Sequence, residues 1–106
     1  MEKFYDLLFE ISNDYRHEIL LILIDKPLRV TDISKKLDLT SQEISRHVAR
    51  LGEAGLTIKD VEGYHHVSHY GMLVLSLLEE LEFASLNREY LWNILFQIFL
   101  KSLLSE

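Results

Sequence analysis

Apolar residues recur along this chain at helical spacing, and short polar or glycine-bearing breaks divide the pattern into segments. Over residues 3–11, Phe4, Leu7, Leu8 and Ile11 mark one face of a first helix, and Ser12-Asn13-Asp14 supplies the cap for a second. That second helix, about Tyr15 to Asp25, is apolar at every position from Ile19 to Ile24, which predicts the central, most buried element. Lys26-Pro27 ends it, because proline cannot continue a helix and biases its predecessor away from helical angles. A helix of about two turns follows over Val30–Leu37 with Thr31 as its expected cap, and Asp38-Leu39 makes a turn in which Asp38 tolerates left-handed angles. Thr40-Ser41-Gln42-Glu43 reads as a capping box. The helix it opens carries Ile44, Val48 and Leu51 on one face and stops at Ala54-Gly55.

Two β-branched-rich runs, Thr57–Val61 and Tyr64–Ser68, flank Glu62-Gly63 and predict a hairpin. Ser68 can cap a last helix from about His69, whose stripe is Val74, Leu77, Leu78 and Leu81. Ser85-Leu86-Asn87-Arg88 interrupts that stripe before a further apolar segment, giving one bent helix or two. The order helix, helix, short helix, tight turn, capped helix, hairpin, long helix is that of a winged helix-turn-helix: mainly α, with a small β-hairpin and here an added C-terminal helix. The expected division is a winged helix-turn-helix DNA-binding domain over 1–84 and an apolar C-terminal helix over 85–106.

Residues 30–55 carry the functional reading. Packing through Ile33, Leu37, Ile44, Val48 and Leu51, with Leu39 pinning the turn, leaves Ser41, Gln42, Ser45, Arg46, Ala49 and Arg50 on a free face. A major groove admits one helix, and the free face has the means to read it: Gln can pair bidentately with adenine, Arg with guanine, Ser with several bases. Thr31, Lys35 and Lys36 lie where the preceding helix would cross phosphates, and Lys59 and Tyr64 where the hairpin would reach an adjacent groove or backbone. Arg46 and Arg50 would also suit a merely solvated face.

The net charge of −6 runs against nucleic-acid binding until its distribution is considered. From Lys26 to Lys59 seven bases face four acids, a net of +3, while the rest of the chain has four bases against thirteen acids, −9. One basic face on an acidic body suits a protein that touches DNA by one surface. With 106 residues and 48% hydrophobic content the chain has room for one compact domain and an extra helix for association. There is no cysteine, which excludes disulfides, thiolate metal sites and a cysteine nucleophile. His65 and His66 are strand neighbours pointing to opposite faces, so with His69 they make a poor zinc site, and neither metal nor cofactor is expected. No phosphate-binding glycine loop, paired-acid motif or nucleophile–base pair suggests an enzyme.

The start of the chain lacks the basic and apolar pattern of a secretory leader, and the apolar stretch Leu91–Leu104 is shorter than the roughly 20 residues a membrane span needs. A soluble, cytoplasmic protein with no membrane partner is expected, and the sequence points to no effector. Leu91, Ile94, Leu95, Ile98 and Phe99, among other apolar residues of that stretch, are too many for the surface helix of a monomer. They predict a homodimer interface shared with the first helix; the alternative is a segment folded back on its own domain.

Four pieces, Ser12–Arg16, Leu39–Val48, Glu53-Ala54-Gly55-Leu56, and Tyr70-Gly71 with the run Leu73–Leu78, carry a resemblance. By them residues 12–71 resemble the ArsR-type winged-helix repressors and, more closely, the amino-terminal domain of archaeal regulators related to the methanogenesis regulatory protein. The resemblance implies double-stranded DNA as partner, a phosphate contact for His47, where a packing histidine would serve equally, and dimerisation through terminal helices. The metal-sensing ArsR branch uses cysteines near the short helix, and this chain has none. The archaeal group continues into a sensor domain, so the chain is read as a stand-alone module or a shortened relative. The expected function is a homodimeric, sequence-specific transcriptional repressor or other regulator. The runner-up is a winged-helix module that binds a partner protein; the polar Gln42, Ser45, Arg46 and Arg50 favour DNA, because a protein-binding face would more often carry apolar anchors.

Overall fold

In the computed structural model, which describes residues 2–105, the chain forms α1 (Glu2–Ile11), α2 (Asp14–Asp25), α3 (Val30–Leu37), α4 (Ser41–Glu53), β1 (Thr57–Lys59), β2 (His65–Val67), α5 (His69–Leu86) and α6 (Arg88–Leu104). The strands pair antiparallel, so the architecture is the mainly helical winged helix-turn-helix that the apolar pattern predicts. Two compact units make up the chain, Met1–Leu75 and Ser76–Glu106. Among the described residues no helix is long and apolar enough to cross a membrane.

Local chemistry sets most boundaries in the first unit. Asn13 caps α2 by accepting a hydrogen bond from the Arg16 amide at 3.0 Å. At α4 the capping box closes both ways: Thr40 Oγ1 accepts from the Glu43 amide at 3.1 Å, and Glu43 Oε2 accepts from the Thr40 amide at 2.9 Å. Between α3 and α4, Asp38 takes the left-handed conformation (φ 54°), and the Ser34 hydroxyl donates to the Leu39 carbonyl. Gly55, at φ 80°, lets the chain leave α4 with the Leu56 amide bonded back to the Leu51 carbonyl at 2.9 Å.

Three expectations are corrected. The cap of α3 is Arg29, not Thr31: Arg29 is extended and its amide donates to Asp32 Oδ2 at 3.3 Å, which places Thr31 inside the first turn. The reach-back from Asp32 starts the helix without a hydroxyl cap. The strands are shorter than Thr57–Val61 and Tyr64–Ser68, because Asp60 Oδ1 accepts from the amides of Glu62 and Tyr64, each at 2.9 Å, and closes the turn early. Finally, α2 is not buried all round. Ile19, Leu20 and Leu23 face α4 and the hairpin, whereas Leu21 and Ile24 are 50% and 44% exposed, because the core of one small unit covers only one side of the helix.

The core of the first unit joins these α2 residues to Leu28, Ile33, Ile44, Val48, Leu51 and Leu56, with Val74 and Leu75 from the start of α5. Leu28 and His65 exchange backbone hydrogen bonds of 2.8 and 3.3 Å, tying the loop after α2 to the hairpin. In the second unit, Asn87 (φ −120°, ψ 26°) separates α5 from α6, so the C-terminal part is two helices. Among the described residues α6 has no buried side chain, and Trp92 stacks on Phe96 with ring centroids 6.2 Å apart.

Gly71 is where α5 meets the hairpin most tightly. Its amide donates to Ser68 Oγ at 2.9 Å, and that hydroxyl donates to the Gly55 carbonyl at 2.7 Å. A methyl group at position 71 would run into the Leu56 carbonyl oxygen and sit 2.8 Å from Val67 Cγ1. Gly71→Ala is therefore expected to lower stability by about 1–3 kcal/mol, the cost typical of overpacking. Gly52→Ala is the control: its new methyl would meet only Thr57 Oγ1, at 3.8 Å, and replacing a helical glycine usually stabilises. Urea midpoints that fall together, or that are unchanged at position 71, would contradict this reading.

Candidate nucleic-acid interface

Helices α3 and α4 pack through Ile33, Ile44, Val48 and Leu51, with Leu37 and Leu39 half-buried at the turn. This packing uses one side of α4 and turns the other out. Ser41, Gln42, Ser45, Arg46, Ala49 and Arg50 are all exposed, as are Thr31, Lys35 and Lys36 on α3 and Lys59 at the end of β1. A shallow groove of about 320 Å³ runs between α4 and the hairpin, lined by Ser45 and Ala49 on one side and Lys59 on the other. The structure thus brings the hairpin lysine to the face of α4 that carries Ser45.

Two expected contact residues have other engagements. Arg50 turns towards α1: its Nε donates to both carboxylate oxygens of Glu10 at 3.0 and 3.2 Å, and its Nη2 donates to Glu10 Oε1 at 2.9 Å. Its guanidinium also lies 5.2 Å from the Phe9 ring centroid. The hydrogen bonds from Arg50, and after them the charge of Arg16, hold the Glu10 carboxyl below the usual glutamate range despite its burial. His47 is half-buried, with Nδ1 3.4 Å from Arg16 Nη1 and its ring 6.0 Å from that of Tyr15. Burial first, then the charges of Arg16 and Arg46, push its pKa below the ordinary 6.5 and favour a neutral ring that accepts from Arg16.

Arg16 and Arg29 are central residues that the apolar pattern does not reveal. Arg16 is buried (5% exposed) and fully engaged, its Nε donating to the Glu10 carbonyl at 2.7 Å and its Nη2 to the Phe9 carbonyl at 3.3 Å. The available signal is a lone arginine at the head of the most apolar helix, where an unpaired charge would be very costly. Arg29 donates from Nε to the Glu62 carbonyl at 3.2 Å and lies 4.5 Å from the centroid of the half-buried Tyr64 ring, clamping the hairpin tip to the start of α3. Its partners are more than thirty residues away, so no local pattern marks it.

The hairpin histidines part as expected for strand neighbours. His65 is buried, and burial followed by the Lys59 charge lowers its pKa. His66 points the other way, with Nε2 2.8 Å from Asp60 Oδ2, and this contact together with the Tyr64 amide lowers the Asp60 pKa. Of the apolar residues expected at a dimer interface, Ile94, Leu95, Ile98 and Phe99 are exposed and Leu91 is half-buried.

These histidines make stability pH-dependent with a definite sign. The unfolded chain takes up protons at positions 47 and 65 near pH 6.5, while the folded chain resists. Stability is expected to fall as pH drops from about 7 to about 5.5, before the carboxylates titrate. His47→Gln keeps an acceptor for Arg16 and should flatten the slope. Urea unfolding across that range checks this, and stability that rises on acidification would refute it.

The family model described as "Bacterial regulatory protein, arsR family" matches residues 13–59, from the cap of α2 through β1. No curated protein sequence matches the chain. Among solved structures, HlyU from Vibrio cholerae is 31% identical with a TM-score of 0.62, over 76% of this chain and 91% of that one. The transcriptional regulator HlyU from Vibrio vulnificus is likewise 31% identical, with a TM-score of 0.59 over 76% of this chain and 88% of its own. The adhesin competence repressor AdcR from Streptococcus pyogenes shares the fold at 20% identity, with a TM-score of 0.55 over 91% of this chain and 81% of that one. The Asp38 turn, the capped α4 and the first strand of the hairpin all fall inside the family match, and the likeness to HlyU extends over most of that regulator; the chain belongs to the arsR family of winged helix-turn-helix regulatory proteins.

Proposed function

We propose that the chain is a homodimeric, sequence-specific regulator of transcription that reads double-stranded DNA with α4. Membership of the arsR family makes it a DNA-binding regulator; the narrower reading rests on its own residues. The carrying observation is the outward face of α4, where Ser41, Gln42, Ser45 and Arg46 stand exposed with no large apolar side chain among them. A face built to hold a protein would more often carry apolar or aromatic anchors. In this reading Arg46 and Gln42 pair with base edges, Lys35 and Lys36 with phosphates, and Lys59 with the backbone beside the groove. Within the family we place the chain nearest the archaeal methanogenesis-type regulators, on the motif resemblance of residues 39–48, and we favour repression.

Dimerisation is supported by α6, where Leu95 and Phe99 are 61% and 59% exposed, and by Phe4 and Tyr5 on α1, 51% and 61% exposed. Apolar surface of this extent marks an interface, and a two-fold pair of recognition helices would read two half-sites about 10 base pairs apart or a multiple of that.

Selection of bound sequences from a random DNA pool tests the reading directly, and a wild-type chain that enriches nothing would sink it. On the selected site, Arg46→Ala is expected to weaken specific binding by about 1–3 kcal/mol and relax preference at one position per half-site. Lys35→Ala or Lys36→Ala should weaken all sequences alike and reduce the salt slope by about one. Unchanged site affinity in a folded Arg46→Ala chain would refute the docking. Glutamates at Leu95 and Phe99 should give a folded monomer with weak DNA binding; sedimentation of that variant as a dimer would count against α6.

A further inference from the structure

We propose that Glu10 and Arg50 form a strut that fixes the end of the recognition helix against α1, so that Arg50 is a positioning residue and not a DNA contact. The proposal rests on the reading of α4 as the DNA-reading helix and revises one of its contacts.

The geometry of the two side chains carries it. Arg50 spends Nε and Nη2 on both oxygens of one carboxylate, at 2.9–3.2 Å, the fork geometry in which guanidinium and carboxylate bind most strongly. Glu10 has little freedom to release it. Its side chain is only 14% exposed, and Oε2 lies 3.3 Å from Nε of Arg16, itself 6% exposed. Arg16 in turn holds the carbonyls of Phe9 and Glu10, so the last turn of α1 is pinned from α2. The Phe9 ring completes the arrangement, with the guanidinium of Arg16 5.9 Å and that of Arg50 5.2 Å from its centroid.

The last turn of α1 is therefore gripped by an arginine from each side, and the grip on the α4 side is Arg50. Moving Arg50 to a phosphate would remove the fork from a largely buried carboxylate and leave that negative charge close to the DNA backbone. Both effects oppose the move. Keeping the strut instead holds the C-terminal end of α4 at a set position relative to α1, which also carries the exposed Phe4 and Tyr5. A residue that the sequence places on the free face of the reading helix thus ties that helix to the one expected to meet a second copy.

The test uses the full chain and its selected site. Arg50→Ala and Glu10→Gln are each expected to lower site affinity about tenfold, with the salt slope unchanged and the double variant no weaker than either single one, as for two halves of one interaction. Arg50→Lys keeps the charge but loses the fork, and should fall between wild type and Arg50→Ala at the same slope. A slope reduced by about one in Arg50→Ala, with Glu10→Gln binding more tightly, would show direct phosphate contact and overturn the proposal. Unaltered affinity in both single variants would overturn it too. A wild-type chain that binds no DNA would sink the functional reading instead; urea unfolding of wild type, Arg50→Ala, Glu10→Gln and their double variant then tests the strut, and additive losses of stability would refute it.

Discussion

A guanidinium inside a small apolar unit has to be satisfied completely, and much of the amino-terminal architecture follows from meeting that demand for Arg16. Helix α1 ends where it does with two of its last carbonyls turned to Arg16, which does for them what solvent or a C-cap does elsewhere. The same group orients the Glu10 carboxylate, which can then take Arg50, and faces a ring nitrogen of His47, where burial first and then the Arg16 charge favour the neutral ring. A single buried charge thus ties together the end of the first helix, one flank of α4 and a half-buried histidine between them. Removing it would take hydrogen bonds from the Phe9 and Glu10 carbonyls, one of its two arginines from the Glu10 carboxylate and the neighbour of a His47 ring nitrogen at once, a far larger loss than one hydrogen bond.

The outward face of α4 is a by-product of how the inward face is packed. Ile44, Val48 and Leu51 recur at three- and four-residue intervals, so the residues between them must point away, and there the chain carries polar and basic groups. The hairpin adds a second, clamped element whose tip bears Asp60 and Glu62, while Lys59 and Arg29 lie behind it.

What the sequence reveals is what neighbours in sequence decide. Asn13, the Thr40–Glu43 box, Asp38 and Gly55 act within a few residues of themselves, and each was legible as a cap or turn. Thr31 satisfies the local preference for a cap of α3, but the helix starts where Asp32 reaches back to the Arg29 amide. Asp60 shortened the strands by a turn that alternation of residue types does not signal. The partners of Arg50 and Arg29 lie 40 and more than 30 positions away, so a charged residue on a helix face could be assigned to solvent or DNA but not to Glu10 or Glu62. Helix α2 illustrates the reverse case: its unbroken apolar run measures how much it could bury, not how much one unit has surface to cover.

The junction at Gly71 has a mechanical side. Helix α5 begins two residues after β2 ends, and Ser68 between them is hydrogen-bonded both to the loop after α4 and to the helix's own first turn. There is no linker to absorb motion. The first turn of α5 is fixed to the base of the hairpin and to the loop after α4, so a displacement of that turn would reach both without a flexible joint between to dissipate it in backbone rotation. The absence of a side chain at position 71 makes this gearing possible, by letting helix and loop backbones mesh without a spacer.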